Sequence, residues 1–164
     1  MPGKLVIVGT PIGNLGDMTT RAFDALEAAD TVCAEDTRVT GKLLHALGIE
    51  AHLERCDENV IASRAAKLVE RMQEGEVIAF CSDAGMPGVS DPGLVLVDAA
   101  REAGVSVEVL PGASAVTTAL VAAGFNGTAF YFGGFLPRKQ VARAKLLQQL
   151  KALDAALIFY ESPY

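Results

Sequence analysis

Two short stretches hold the side chains with the most chemical reach. Glu35, Asp36, Thr37 and Arg38, in the run A-E-D-T-R, follow directly on the apolar segment Thr31–Ala34. Two carboxylates, a hydroxyl and a guanidinium at the mouth of a sheet are costly to bury unpaired. In one reading they form an internal ion pair, with Asp36 or Thr37 capping the next helix. In the other, Asp36 is a base or an orienting acceptor and Arg38 grips an anionic substrate. The second stretch, Ser82 to Gly93, reads S-D-A-G-M-P-G-V-S-D-P-G and follows the apolar run Val77–Cys81. Its twelve residues exceed the roughly two to six of a plain α/β connection. It therefore reads as a binding loop at the carboxyl end of a strand, where open α/β sheets take their ligands. Asp83 is either an acceptor for ribose hydroxyls or an ammonium group, or an Asx turn bonded to its own backbone. Asp91-Pro92 has the form of a helix cap followed by proline in the first turn.

Two glycine-bearing turns accompany them. G-T-P-I-G-N-L-G, from Gly9 to Gly16, lacks the second glycine of a dinucleotide fingerprint and the G-K-[ST] of a P-loop. Its proline and glycines fix a tight turn, which either brings backbone close to a ligand or simply joins a strand to a helix. In P-G-A-S-A, Ser114 is a cap for the helix starting at Ala115, or marks N–H groups that hold a carboxylate. Cys33, Cys56 and Cys81 have no metal-ligand spacing and read as reduced, mostly buried thiols. No metal site is expected.

The elements that must position these residues alternate. Strands are expected at Lys4–Val8, Thr31–Ala34, His52–Arg55, Val77–Cys81 and Val105–Leu110. Helices are expected at Thr19–Ala29, Thr40–Leu47, Ala62–Gln73, Pro92–Ala103 and Ala115–Ala123. This is the signature of an α/β fold: a mostly parallel sheet with helices on both faces. Gly124-Phe-Asn-Gly127 is the candidate boundary, giving a first domain over 1–125 and a partial second α/β domain over 126–164. The latter holds a strand (Ala129–Phe135), a helix (Ala142–Leu150) and a strand (Ala155–Tyr160), too few to make an independent core easily.

The chain of 164 residues carries a formal charge of −6, unlike a sequence-independent nucleic-acid binder, which is normally basic. Arg138, Lys139, Arg143 and Lys145 form one basic cluster, either a solvated helix face or part of a contact surface. No apolar run approaches the roughly 18 residues of a membrane span, and no signal peptide is evident, so a cytoplasmic protein is expected.

Together, V-G-T-P-I-G-N-L-G-D-M-T-T-R-A, A-E-D-T-R, S-D-A-G-M-P-G-V-S-D-P-G and L-P-G-A-S-A resemble the tetrapyrrole methylase superfamily, and more narrowly its bacterial ribosomal RNA branch. The resemblance runs from residue 4 to the end. It implies methyl transfer from S-adenosylmethionine to the ribose 2′-hydroxyl of a cytidine in small-subunit (16S) ribosomal RNA. It also implies a cofactor cleft between two α/β domains and a homodimer. Pro11 and Ile12 would sit in the first cofactor loop. Asp83 falls on the acidic position of the family's Gly-Asp-Pro motif, with Ser82 and Ala84 in place of its flanking residues. Gly85 and Met86 would line the methionine part, Ser114 and Ala115 the adenosine side, and Tyr160 would close the pocket. Asp36 takes the base or orienting role, with Glu35 an equivalent choice, and Arg38 a phosphate or ribose contact. Family members continue past I-F-Y-E-S-P with a histidine and most of a second domain, whereas Tyr164 stands here. The resemblance thus implies a truncated member, either the cofactor-binding half of the enzyme or a non-catalytic binding or dimerisation module. Methylation of a small tetrapyrrole or a diphthamide precursor is the remaining alternative, disfavoured by A-E-D-T-R and S-D-A-G.

Overall fold

The computed structural model describes residues 2–127 and 129–162; Pro163 and Tyr164, the end of I-F-Y-E-S-P-Y, lie outside them. Two compact units divide the chain, Met1–Ser114 and Ala115–Tyr164.

The first unit is a five-stranded sheet in the order β3-β2-β4-β1-β5. Its strands are β1 (Lys4–Val8), β2 (Thr31–Ala34), β3 (Leu53–Arg55), β4 (Val77–Cys81) and β5 (Ser106–Leu110). Every pairing is parallel. The connecting helices are α1 (Thr20–Ala28), α2 (Thr37–Leu47), α3 (Ile61–Gln73) and α4 (Gly93–Glu102). Alternation along the strands feeds two separate cores. Val6, Val8, Val32, Ala79 and Cys81 meet Ala22 and Leu26 of α1 and Leu44 of α2. Leu5, Ile7, Cys33, Ile78 and Phe80 meet α3 and α4 on the other face. Helix α3 shows why it lies there: Ile61, Ala65, Leu68, Val69 and Met72 recur at helical spacing and are all buried. Fully burying one large side chain such as Phe80 or Leu26 stabilises the fold by about 1.5–3 kcal/mol.

All three cysteines are free and buried, and burial pushes the Cys81 thiol up to about 12. Among the described residues no helix is long and apolar enough to cross a membrane.

The expected elements are present, with shifted ends. Helix α2 begins at Thr37, three residues before the expected Thr40, because the Asp36 carboxylate accepts from the Arg38 N–H (2.8 Å) and opens the helix early. Helix α4 begins at Gly93 with Pro92 at the N-cap, one residue later than expected; Asp91 stands just before it and accepts from the Gly93 N–H (2.9 Å). A 3₁₀ turn at Leu15–Asp17 occupies part of the expected first loop.

In the second unit, β6 (Phe130–Phe135) and β7 (Ala156–Tyr160) pair in parallel around α6 (Gln140–Leu150), and α5 (Ala115–Ala122) contacts β7. No residue of α6 is buried.

Candidate functional site

A strand order of 3-2-4-1-5 sends the chain from β1 towards β2 and from β4 towards β5, in opposite directions from adjacent strands. That makes the carboxyl ends of β1 and β4 the topological switch point of the sheet. Both long loops open there, and they are tied to each other. Thr10 N–H donates to the Gly85 carbonyl (2.9 Å), and Gly85 N–H to the Thr10 carbonyl (3.1 Å). The turn after β5 joins on the far side, where Gly9 N–H donates to the Leu110 carbonyl (3.3 Å).

The backbones of these three turns approach closer than side chains allow. A Cβ on Gly9 would lie 2.8 Å from Gly112 Cα and 2.7 Å from Met86 Sδ. Gly85 takes φ +80, with Ile12 Cγ2 only 3.3 Å and the Ala113 carbonyl oxygen 3.5 Å from a Cβ placed on it. Pro11, Ile12, Gly85 and Met86 are therefore brought together with the turn that carries Ser114. The result is a cradle of backbone groups over β4, β1 and β5. Two hydroxyls at its floor, Thr10 Oγ1 and Ser82 Oγ, are buried and have no hydrogen-bond partner. Buried hydroxyls without a partner among the described residues are uncommon, and strain, a bound water or ion, or a ligand group accounts for them. Sequence reasoning placed Thr10 in the Gly9–Gly16 turn and passed over its hydroxyl.

Carboxylates gather on the other side of β4. Glu35, Asp36, Thr37, Arg38, Arg55, Asp57 and Asp83 line a cleft of about 580 Å³ over β3, β2 and β4. Asp83 Oδ1 accepts from the Asp36 N–H (3.1 Å), so this carboxylate stitches the β4 loop to the β2 loop, unlike the Asx turn that is one of its two sequence readings. Asp36 is fully engaged. Beyond its cap bond it receives Arg38 Nε (3.0 Å) and Nη2 (2.6 Å), which hold its carboxyl well below the usual carboxylate range. Glu35 is the opposite case. Burial first, then the charges of Asp83, Asp91 and Asp57, raise its pKa, and only a hydrogen bond from the Asp83 backbone pulls the other way. Glu35 also borders a second hollow of about 360 Å³ with Glu58, Ser90, Asp91, Pro92 and Val95. The neighbouring loop is held in shape by Asp91, whose carboxylate accepts from the N–H groups of Gly88, Val89 and Gly93. This clamp supports Ser90 at φ +80, a left-handed conformation that costs a non-glycine residue about 1–2 kcal/mol.

Arg55 and Asp57, an ion pair at the end of β3, were not singled out from the sequence. The same strand-end logic that selected A-E-D-T-R would have found them, had β3 been followed to its tip. Two expected site residues, Ala115 and Tyr160, belong to the second unit. There the Tyr160 ring packs edge-on against Phe132 and Phe135, with centroids 4.8 and 5.5 Å away.

S-adenosylmethionine presents a carboxylate, an ammonium group, ribose hydroxyls and an adenine edge. The close-packed glycine turns, the two buried hydroxyls and the Asp83 carboxylate supply polar groups of the kind that set needs.

The sequence model of the family described as tetrapyrrole (corrin/porphyrin) methylases matches residues 4–164. Among curated relatives, "Ribosomal RNA small subunit methyltransferase I" of Halalkalibacterium halodurans is 46% identical over 99% of this chain and 56% of its own length. Its namesake from Escherichia coli O157:H7 is 48% identical over 99% of this chain and 57% of its own. The chain thus spans little more than half the length of these relatives. Among solved structures, uroporphyrin-III-C-methyltransferase from Thermus thermophilus superposes with a TM-score of 0.63 at 27% identity, covering 97% of this chain and 68% of that one.

Proposed function

The chain belongs to the tetrapyrrole methylase family, and from that premise we propose that it holds S-adenosylmethionine in the backbone cradle and serves 2′-O-methylation of a cytidine ribose in small-subunit ribosomal RNA. Small-subunit RNA as partner and a homodimer as the working assembly belong to the same reading. The names of the curated relatives support the RNA substrate. The observation that carries the reading is the adjacency of two unlike sites across β4. A glycine-lined cradle lies over β4, β1 and β5, and a carboxylate cleft over β3, β2 and β4.

The cofactor supplies a methyl group on a sulfonium, a strong electrophile with a neutral thioether as leaving group. The protein's share is to orient the partners and remove one proton. Orientation alone accounts for up to about 7–11 kcal/mol of such a barrier. Pro11, Ile12, Gly85 and Met86 would bound the methionine side and Ser114 the adenosine side. Thr10 Oγ1 and Ser82 Oγ gain partners when the cradle fills. Glu35 would accept the proton that the ribose hydroxyl gives up, with the methyl group supplied by the bound cofactor and its thioether as the leaving group. Glu35 suits this better than Asp36, because its raised pKa makes it the more basic group while Asp36 is held by Arg38. Arg38 contacts the ribose or its phosphate.

Calorimetric titration with S-adenosylmethionine, followed by assay of methyl transfer to small ribosomal subunits and to small tetrapyrroles, tests the proposal. Saturable binding with transfer to the subunits is expected. Absence of heat at millimolar cofactor overturns it, and binding without transfer identifies a binding module.

A further inference from the structure

We propose that Arg38, Arg55 and Arg64, extended by Lys67, form a rail that holds the phosphate backbone of an RNA strand entering the carboxylate cleft; the inference rests on the RNA reading above and gives that site its path of approach. Arg38 and Arg55 stand at the cleft itself. Arg64 Nη1 donates to the Arg55 carbonyl (3.0 Å) and to Glu54 Oε2 (3.2 Å), which carries the row from the end of β3 onto α3. Arg64 and Lys67, one turn apart on that helix, then border a second opening of about 360 Å³. The four cations follow one another without a break from the cleft across the edge strand.

Each arginine has a carboxylate partner, and the pairs share one orientation. Side-chain exposure is 85% for Arg38 against 27% for Asp36, 63% for Arg55 against 13% for Asp57, and 44% for Arg64 against 22% for Glu54. The acid lies beneath and the guanidinium faces outward. An arginine offers five N–H donors, and these pairs use only some of them. Arg38 and Arg55 engage Nε and Nη2, and Arg64 engages Nη1 and also meets the Cys56 thiol. The remaining donors project from a fixed fork, the geometry that suits phosphate. Lys67 has no ion pair among the described residues and adds an uncompensated charge. Arg71 shows the contrast. It spends Nε, Nη1 and Nη2 on Glu76, Glu54 and Thr31, so it ties elements together and stands outside the rail.

A polyanionic strand fits this surface better than an anionic membrane does. Exposed acids such as Glu58 and Glu70 lie on the same chain segments as the cations, on a chain of net charge −6. A flat lipid surface would meet those acids, whereas a single strand can engage the guanidinium groups one by one.

The test measures affinity of the protein for a small-subunit ribosomal RNA fragment across a salt series. It compares the native protein with Arg55→Gln/Arg64→Gln and Arg55→Lys/Arg64→Lys, each confirmed as folded by circular dichroism. Two lost single-strand phosphate contacts, at about 0.7 each, reduce the slope of log K on log salt by about 1.4 in the glutamine variant. The lysine variant keeps the native slope. An unchanged slope in the glutamine variant overturns the rail. So does a native protein that ignores the RNA, or that binds phosphatidylserine vesicles in its place. Methyl transfer assayed alongside separates the two proposals. Transfer with an unchanged slope removes the rail alone, and a reduced slope without transfer removes ribosomal RNA methylation while the rail stands.

Discussion

Thr10 and Gly85 exchange backbone hydrogen bonds in both directions, 2.9 and 3.1 Å long, across the tips of β1 and β4. The bridge closes the sheet's switch point and fixes how far apart the two loops stand. Gly85 takes part with φ +80, so Gly85→Ala forces a side chain into the left-handed region, at about 1–2 kcal/mol. Urea unfolding should register that loss. The same substitution displaces Ile12, and cofactor affinity should fall by about tenfold, equivalent to about 1.4 kcal/mol. Gly9→Ala, which meets the Gly112 backbone, should be the more damaging of the two.

Thr10→Val should move stability and binding in opposite directions. The hydroxyl it removes is buried without a partner, so its loss should stabilise the unliganded protein by about 1 kcal/mol. If that hydroxyl serves the cofactor, calorimetry should show weaker binding by the same variant. Ser82→Ala should behave alike. A loss of stability in both variants would mean the hydroxyls serve the fold.

Glu35 and Asp36 are neighbours with opposite prospects as proton acceptors. Glu35→Gln in an active enzyme should lower kcat by about 10²–10⁴ with little change in cofactor affinity. Asp36→Asn, which keeps an oxygen for the Arg38 N–H, should retain activity to within about tenfold. The reverse ranking would return the base role to Asp36.

Stability should depend on pH through the same carboxylates, with opposite signs. Glu35 has a raised pKa, so the folded state binds its proton more tightly than the unfolded chain does. That contribution is present below the ordinary carboxylate value and disappears as pH rises through the raised one. Glu35→Gln should therefore be more stable than the native protein at about pH 7 and nearly equal to it near pH 4. Glu76 and Glu108 are lowered by Arg71 and Lys4 respectively. Their contribution is present above the ordinary value and is lost as pH falls through the lowered one. Urea midpoints across that range check both signs.

Ser90→Gly should relieve the left-handed residue in the β4 loop and stabilise the protein by about 1 kcal/mol, provided Asp91 keeps its three N–H contacts.

The sheet was legible because its apolar runs are short, β-branched and punctuated by glycine. The loops at their carboxyl ends stood out by length and composition. Helix α2 shows where this failed: Thr37–Val39 look like loop, and only the Asp36 carboxylate on the Arg38 N–H starts the helix there. The division of labour between Glu35 and Asp36 was equally hidden. It depends on Asp57 arriving from the end of β3 and Asp83 and Asp91 from the β4 loop, a convergence that no local pattern records. Thr10 and Arg55 were missed for a related reason. Thr10 reads as one more turn residue and Arg55 as an ordinary strand terminus until their neighbours across the sheet are known.

The register of β1 has a consequence for biogenesis. Lys4 pairs with Val77 on one side and Ser106 on the other, and β1 has no partner nearer in sequence. At about 5–20 residues per second, β1 waits on the order of 5–20 s after its own synthesis before both flanks exist. Throughout that interval Leu5–Val8 is an exposed sticky segment, a natural client for a chaperone. Slowing translation ahead of residue 106 should lengthen the wait and lower the yield of folded chains.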